Sequence, residues 1–190
     1  MFLIPGELIA ILTFPGVVLH EFAHQVGCML AKTKVEKVCY FRLKNPCGYV
    51  IHEQPIYISR SVIITLLPIV FGYGTTIILA ICARGILWST PFGYSPGLVF
   101  YFLIWLAFSA AMHALSSDED IDSLWRMLAG HRQVVQVGGR FYEVSFSSPI
   151  VYRIVLFPLG GIIKLINALR PFWADAIVSF FIIAPIVGWI

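Results

Sequence analysis

Charged side chains are scarce in this sequence: Asp, Glu, Lys and Arg supply 12% of its 190 residues, roughly half the share in an ordinary soluble domain. A chain so poor in charge lacks the residues to coat a conventional water-facing surface. Its net charge of +3 is too small to point to nucleic acid. No basic stretch precedes Phe2-Leu3-Ile4 and the apolar run that starts there continues well past them, so no cleavable signal peptide is expected. Cysteine is also sparse. Cys28, Cys39, Cys47 and Cys82 show no C-x-x-C spacing, which removes the usual sign of a thiolate zinc site or dithiol redox centre and names no disulfide. A zinc site built on Cys39 and Cys47 is the one thiol alternative.

What the chain has in place of charge is hydrophobic length. Apolar residues make up 59% of it and its mean hydropathy is +0.87. That composition predicts one α-helical polytopic membrane domain over residues 1–190, with about five transmembrane helices and short β-hairpins in the connecting loops. The spans are expected near residues 2–31, 61–82, 98–115, 150–169 and 172–190. Pro5 and Pro15 divide the first, and Pro15 suits the first turn of its main helix. Residues 35–43 and 49–52 read as one hairpin and 134–146, around Gly138-Gly139, as a second. Residues 84–96 read as a short loop. Ile121, Leu124, Trp125 and Leu128 fall at helical spacing and predict an amphipathic helix at the membrane surface. The last two spans carry no catalytic signature and read as scaffold, with Lys164 a candidate partner for Asp175.

Against this apolar background one polar group stands out. His20-Glu21-Phe22-Ala23-His24 is an H-E-x-x-H sequence inside the first span. Residues four apart share a helix face, about 6 Å apart along the axis. His20 and His24 can therefore offer two imidazole nitrogens to one tetrahedral zinc ion. Glu21 is placed to act as general base on water at that metal. Three ionisable residues within a lipid-embedded helix cost too much to be incidental and mark a functional interior.

A catalytic zinc needs a third protein ligand and an open position. If the first three spans are real, the ends of spans one and three emerge on the same side. That places Asp118, Asp120 and Asp122 on the same side as the end of span one. Ser117-x-x-Asp120 also fits a helix-capping box, so the acidic cluster has both a ligand and a capping reading. Asp120 is the favoured ligand, with Asp118, His113 and His52 as alternatives. Basic residues concentrate in the first loop (Lys32, Lys34, Lys37, Arg42, Lys44, Arg60) and the third (Arg126, Arg132, Arg140), while Arg84 is alone in the second. That asymmetry predicts a multi-pass protein with its site towards the cytoplasmic face.

A metal motif on span one followed by an acid after span three resembles the site-2 protease clan of intramembrane zinc metalloproteases, and in particular its small zincin-like membrane relatives. Gly48-Tyr49-Val50 is similar to the short G-Y-V strand that follows the motif helix in some members, and His113-Ala114-Leu115-Ser116-Ser117-x-x-Asp120 to a histidine- and serine-containing segment before the acid. The resemblance covers roughly residues 15–125. The usual Leu-Asp-Gly around the third ligand is missing, as is any inserted PDZ-like domain. The resemblance implies one Zn2+ held by His20, His24 and Asp120, with Glu21 activating water. It implies a membrane protein or peptide as substrate, unwound locally; the first hairpin reads either as a plain connector tucked against the bundle or as an edge strand, with Gly48, Tyr49 and Val50, that holds the peptide extended.

Two other functions compete. A zinc enzyme could cut soluble or prenylated peptides, but a downstream E-x-x-x-D ligand motif is lacking. A non-catalytic metal-binding module could hold partner helices, but such a site needs no base beside its ligands, and Glu21 is there.

Overall fold

Thr13 divides the first apolar run in two. Helix α1 (Gly6–Leu12) ends at it and α2 (Phe14–Leu30) begins after it, with Pro15 in the first turn of α2 as its fixed φ and missing N–H favour. A continuous helix would drive the Pro15 ring against the carbonyl of residue 11. The computed structural model describes residues 6–130, 132–137, 140–145, 149–170 and 173–189.

A hairpin follows, β1 (Val35–Cys39) paired antiparallel with β2 (Tyr49–His52), Cys39 opposite Tyr49. Next come α3 (Ile58–Ser89), α4 (Gly97–Met112) and α5 (Asp118–Leu128). A second hairpin pairs β3 (Arg132–Val137) with β4 (Arg140–Ser145); its Gly138-Gly139 turn lies outside the described residues, as do Pro5 and the ends of the first and last expected spans. Helices α6 (Ile150–Ala168) and α7 (Ala174–Val187) close the chain.

The architecture is mostly helical, and among the described residues two helices, α3 and α6, are long and apolar enough by length and composition to cross a membrane. The apolar helices α4 and α7 are shorter, at 16 and 14 residues. Helix α3 outruns its expected span of 61–82. Its 32 residues reach about 48 Å at 1.5 Å per residue. Residues 84–89, expected as loop, are helical. Arg84 does not end the helix because its guanidinium donates to the Ile186 carbonyl at 3.1 Å and lies 4.2 Å from the Trp88 ring centroid.

Helix α3 is the spine: α2, α4 and α7 pack along it, and α4 also meets α2 and α7. These interfaces use small residues that let backbones approach closely. Ala80, Ala83 and Ala107 are buried with Phe100, Ile183 and Val187 in one cluster. Gly16 marks a close approach of α2 to α4, since a Cβ there would overlap the Ser109 carbonyl. The seam is also hydrogen-bonded. The Gly16 amide donates to Ser109 Oγ at 2.7 Å, and that hydroxyl donates to the Thr13 carbonyl at 2.8 Å.

The amphipathic helix is α5, but its apolar face is not left for lipid. Leu124, Met127 and Leu128 are buried against Ile58 of α3 and Leu156 of α6. The expected Lys164–Asp175 pair does not form either. Lys164 Nζ donates to Asp122 Oδ1 at 2.6 Å, and Asp175 pairs with Arg170 at 2.8 Å. The reason is the helix docking: α5 brings a carboxylate to Lys164 first, while Arg170 lies just ahead of α7.

Candidate metal centre

Helix α2 presents His20 and His24 one turn apart, their rings 4.7 Å between centroids. Each is oriented from behind by a backbone carbonyl on a different helix. His20 Nδ1 lies 2.6 Å from the carbonyl of His113, at the end of α4, and His24 Nδ1 lies 3.1 Å from that of Ile64, in α3. A carbonyl can only accept, so both Nδ1 atoms carry the proton and both Nε2 atoms are left with lone pairs. Those two Nε2 atoms are 3.1 Å apart.

Asp120 closes the group from α5. Its Oδ2 is 3.3 Å from His24 Nε2, and donor atoms from His20, His24 and Asp120 all lie within 4.8 Å of one another. The ligand and capping readings of Asp120 coexist in one side chain. Ser117 donates to Oδ2 from its amide at 3.0 Å and its hydroxyl at 2.8 Å, and Ser117 Oγ also lies 3.2 Å from the Asp120 amide. Together these contacts make the capping box of α5.

Three electron-rich atoms turned towards one another repel unless a cation lies between them. A proton satisfies one pair at a time; a metal ion satisfies all three. Zinc bonds of about 2.0–2.1 Å in a tetrahedron place neighbouring donors about 3.3–3.4 Å apart. The separations of 3.1 and 3.3 Å come close to that edge, so the residues fit such an ion. Two neutral imidazoles and a carboxylate also suit other divalent metals.

Glu21 is buried beside this group. Its carboxylate is packed on Gly48, where an added Cβ would lie 2.6 Å from Glu21 Cγ and 2.8 Å from Oε1. Glycine at 48 thus gives the Glu21 side chain its room and brings the start of β2 next to it. The hydroxyl of Tyr40, just beyond β1, donates to Gln25 of α2 and ties the hairpin to the motif helix.

The other sequence candidates fall elsewhere. His113 contributes its carbonyl, while its ring Nε2 lies 2.7 Å from Thr13 Oγ1, whose hydroxyl donates to Ile9. That chain holds the α1–α2 break against the end of α4 and so orients His20 indirectly. Asp118 Oδ1 accepts from Asn167 at 2.8 Å, and Asp122 belongs to Lys164. His52 Nδ1 bonds the Glu53 carbonyl. Cys28, Cys39, Cys47 and Cys82 form no disulfide, and among the described residues the cysteines join no metal-sized group. What sequence reasoning missed was Asn167, a lone amide in an apolar helix; its polarity in that setting was the available signal. No family model matches the chain, and no curated protein or solved structure matches it.

Proposed function

We propose that this chain is a multi-pass membrane zinc metalloendopeptidase of the kind the site-2 protease resemblance implies, with one Zn2+ on His20, His24 and Asp120. The observation that carries the reading is the convergence of three donors from two helices, two of their separations close to a tetrahedral edge and all within 4.8 Å, with a buried carboxylate on the adjacent residue. Bound zinc supplies Lewis acidity, which polarises a carbonyl and acidifies water.

The remaining steps belong to the chain's own residues. Glu21 accepts a proton from water as the oxygen adds to the peptide carbonyl carbon. It then delivers that proton to the leaving nitrogen as the C–N bond breaks, giving a carboxylic acid and an amine. The Gly48–Glu21 contact supports a substrate position beside β2. Among the described residues the sheet has two strands, so an extended peptide adding to β2 would run past Glu21, its backbone bonds satisfied by the strand.

A membrane setting is supported by the apolar surface outside the helices. Large apolar side chains are turned outward on three of the apolar helices: Leu98 of α4 is 87% exposed, Val70 of α3 64% and Phe181 of α7 62%. The five-span reading takes α1 with α2 as one crossing and α3, α4, α6 and α7 as the others. Ile64, which orients His24, lies six residues into α3, about 9 Å from its start, and this favours a site near the bilayer face where the basic first loop lies.

Two measurements test the proposal. Glu21→Gln is expected to keep its zinc while losing about 10²–10⁴-fold in cleavage of single-span peptides in detergent, the range general bases contribute. Wild-type protein that holds zinc and leaves such a library intact would point to the non-catalytic metal module instead. For topology, a single cysteine replacing Lys37 in an otherwise cysteine-free chain should resist impermeant maleimide in intact cells and react once they are opened. Labelling from outside would reverse the assigned orientation.

A further inference from the structure

Helix α6 touches the metal centre with no ligand, yet it grips both sides of the segment that carries Asp120. Asn167 is buried and its Nδ2 donates twice, to the Ser116 carbonyl at 3.1 Å and to Asp118 Oδ1 at 2.8 Å. One turn earlier Lys164 Nζ reaches Asp122 Oδ1 at 2.6 Å and lies 5.1 Å from the Trp125 ring centroid. Gly160, a further turn back, gives room to the Trp125 indole, whose Nε1 a Cβ at 160 would meet. Residues 160, 164 and 167 share one face of α6. On α5, Asp118 and Asp122 share a face for the same reason, and Asp120 points away from it.

From this geometry we infer that the Asn167–Lys164 face of α6 positions Asp120 as a metal ligand, an inference that rests on the metal reading proposed above. A clasp on Asp118 and Asp122 fixes the rotation of α5 about its axis, and that rotation decides whether Asp120 faces His24. The clasp also reaches the linker: Ser116, whose carbonyl Asn167 holds, donates its hydroxyl to Thr65 of α3, next to the Ile64 carbonyl that orients His24. The α6 face and the back of His24 are therefore joined through one residue. Asn167 is poorly suited to a purely stabilising role. Its Oδ1 is buried without a partner among the described residues, an arrangement that costs stability. Leucine at 167 would remove that cost and retain the packing, so the variant is expected to fold.

The test compares wild type, Asn167→Leu, Lys164→Met and Thr76→Val, all intact and purified in one detergent. Thr76 is a buried control whose hydroxyl bonds within the α3–α4 seam. Zinc dissociation constants are measured by chelator competition, and the visible absorption of each Co2+-loaded protein reports ligand geometry independently of activity. Asn167→Leu, which acts one contact further out than a direct partner of a ligand, should bind zinc up to about 10-fold more weakly, the low end of the loss when a direct partner goes, with an altered Co2+ spectrum. Lys164→Met should shift in the same direction by less. Thr76→Val should bind as wild type does. Asn167→Leu and Lys164→Met both binding with wild-type affinity and spectrum would overturn the clasp while leaving the metal centre standing. Equal weakening in Thr76→Val would overturn it too, as a general effect of lost stability. Wild-type protein that binds neither ion would end the metal reading and the clasp together.

Discussion

His24→Ala, purified from membranes beside wild type, is expected to lose zinc affinity by well over about 100-fold, because even an outer partner of a ligand is worth about 10–100-fold. His24 is the hub of the group: its Nε2 lies 3.1 Å from His20 Nε2 and 3.3 Å from Asp120 Oδ2. Removing it leaves two donors, His20 and Asp120, with no shared neighbour to hold them at tetrahedral spacing. His20→Ala should lose metal to a similar degree, since it leaves only the His24–Asp120 edge. Neither change should prevent folding, because each deletes one imidazole and a single bond to a backbone carbonyl, and α2 remains seated on α3 and α4. Zinc per protein, measured by mass spectrometry after dialysis against a weak chelator, gives the answer. Full occupancy in both variants would remove the basis of the metal centre.

Asp120→Asn should separate the capping contacts of this side chain from the metal ligation proposed for it. An asparagine carbonyl oxygen can still accept from the Ser117 amide and hydroxyl, so the capping box should largely survive; Asn and Asp are comparable at helix N-termini, where such contacts are worth about 0.5–2 kcal/mol. A neutral amide, however, replaces the negative charge and short oxygen bond that a zinc ligand supplies. Helix content and thermal midpoint in detergent should therefore stay close to wild type while zinc affinity falls by about 100-fold or more, exceeding the loss for an outer partner. Asp118→Asn retains an acceptor for Asn167 and Asp122→Asn one for Lys164, so the contacts of α6 with α5 survive both changes. Both should keep zinc nearly as wild type does. If Asp120→Asn keeps its zinc, Asp120 is a helix cap that happens to lie near His24, and the third ligand must be sought elsewhere.

Much of this molecule is legible residue by residue. The spacing of His20 and His24 places both on one helix face wherever that helix lies, because 3.6 residues per turn is a property of the backbone. Pro15 marks the start of α2 through its own ring. The first hairpin follows from two β-rich stretches separated by Asn45-Pro46-Cys47-Gly48, and the capping box from Ser117 and Asp120 three residues apart. The scarcity of charge accounts for the apolar helices and their exposed faces. Each of these rests on interactions among near neighbours in the chain, and such interactions do not depend on what else is present.

Other features needed the tertiary structure. The sequence placed three aspartates after the third apolar run and showed that Asp118 and Asp122 share a face from which Asp120 is turned. It favoured Asp120 as the ligand but held no contact that fixes which face meets the histidines. That was decided by α6, some forty residues later, whose Asn167 and Lys164 take Asp118 and Asp122 and leave Asp120 towards α2. The partner of Lys164 was misread for the same reason: Asp175 is near in sequence, but Asp122 is near in space. The length of α3 depended on a carbonyl of α7 that accepts from Arg84, and the burial of α5 on a surface formed by α3 and α6 together. Helix periodicity is local and therefore written in the sequence, whereas the rotation of one helix against another is set by contacts between distant residues and exists only once the chain has packed.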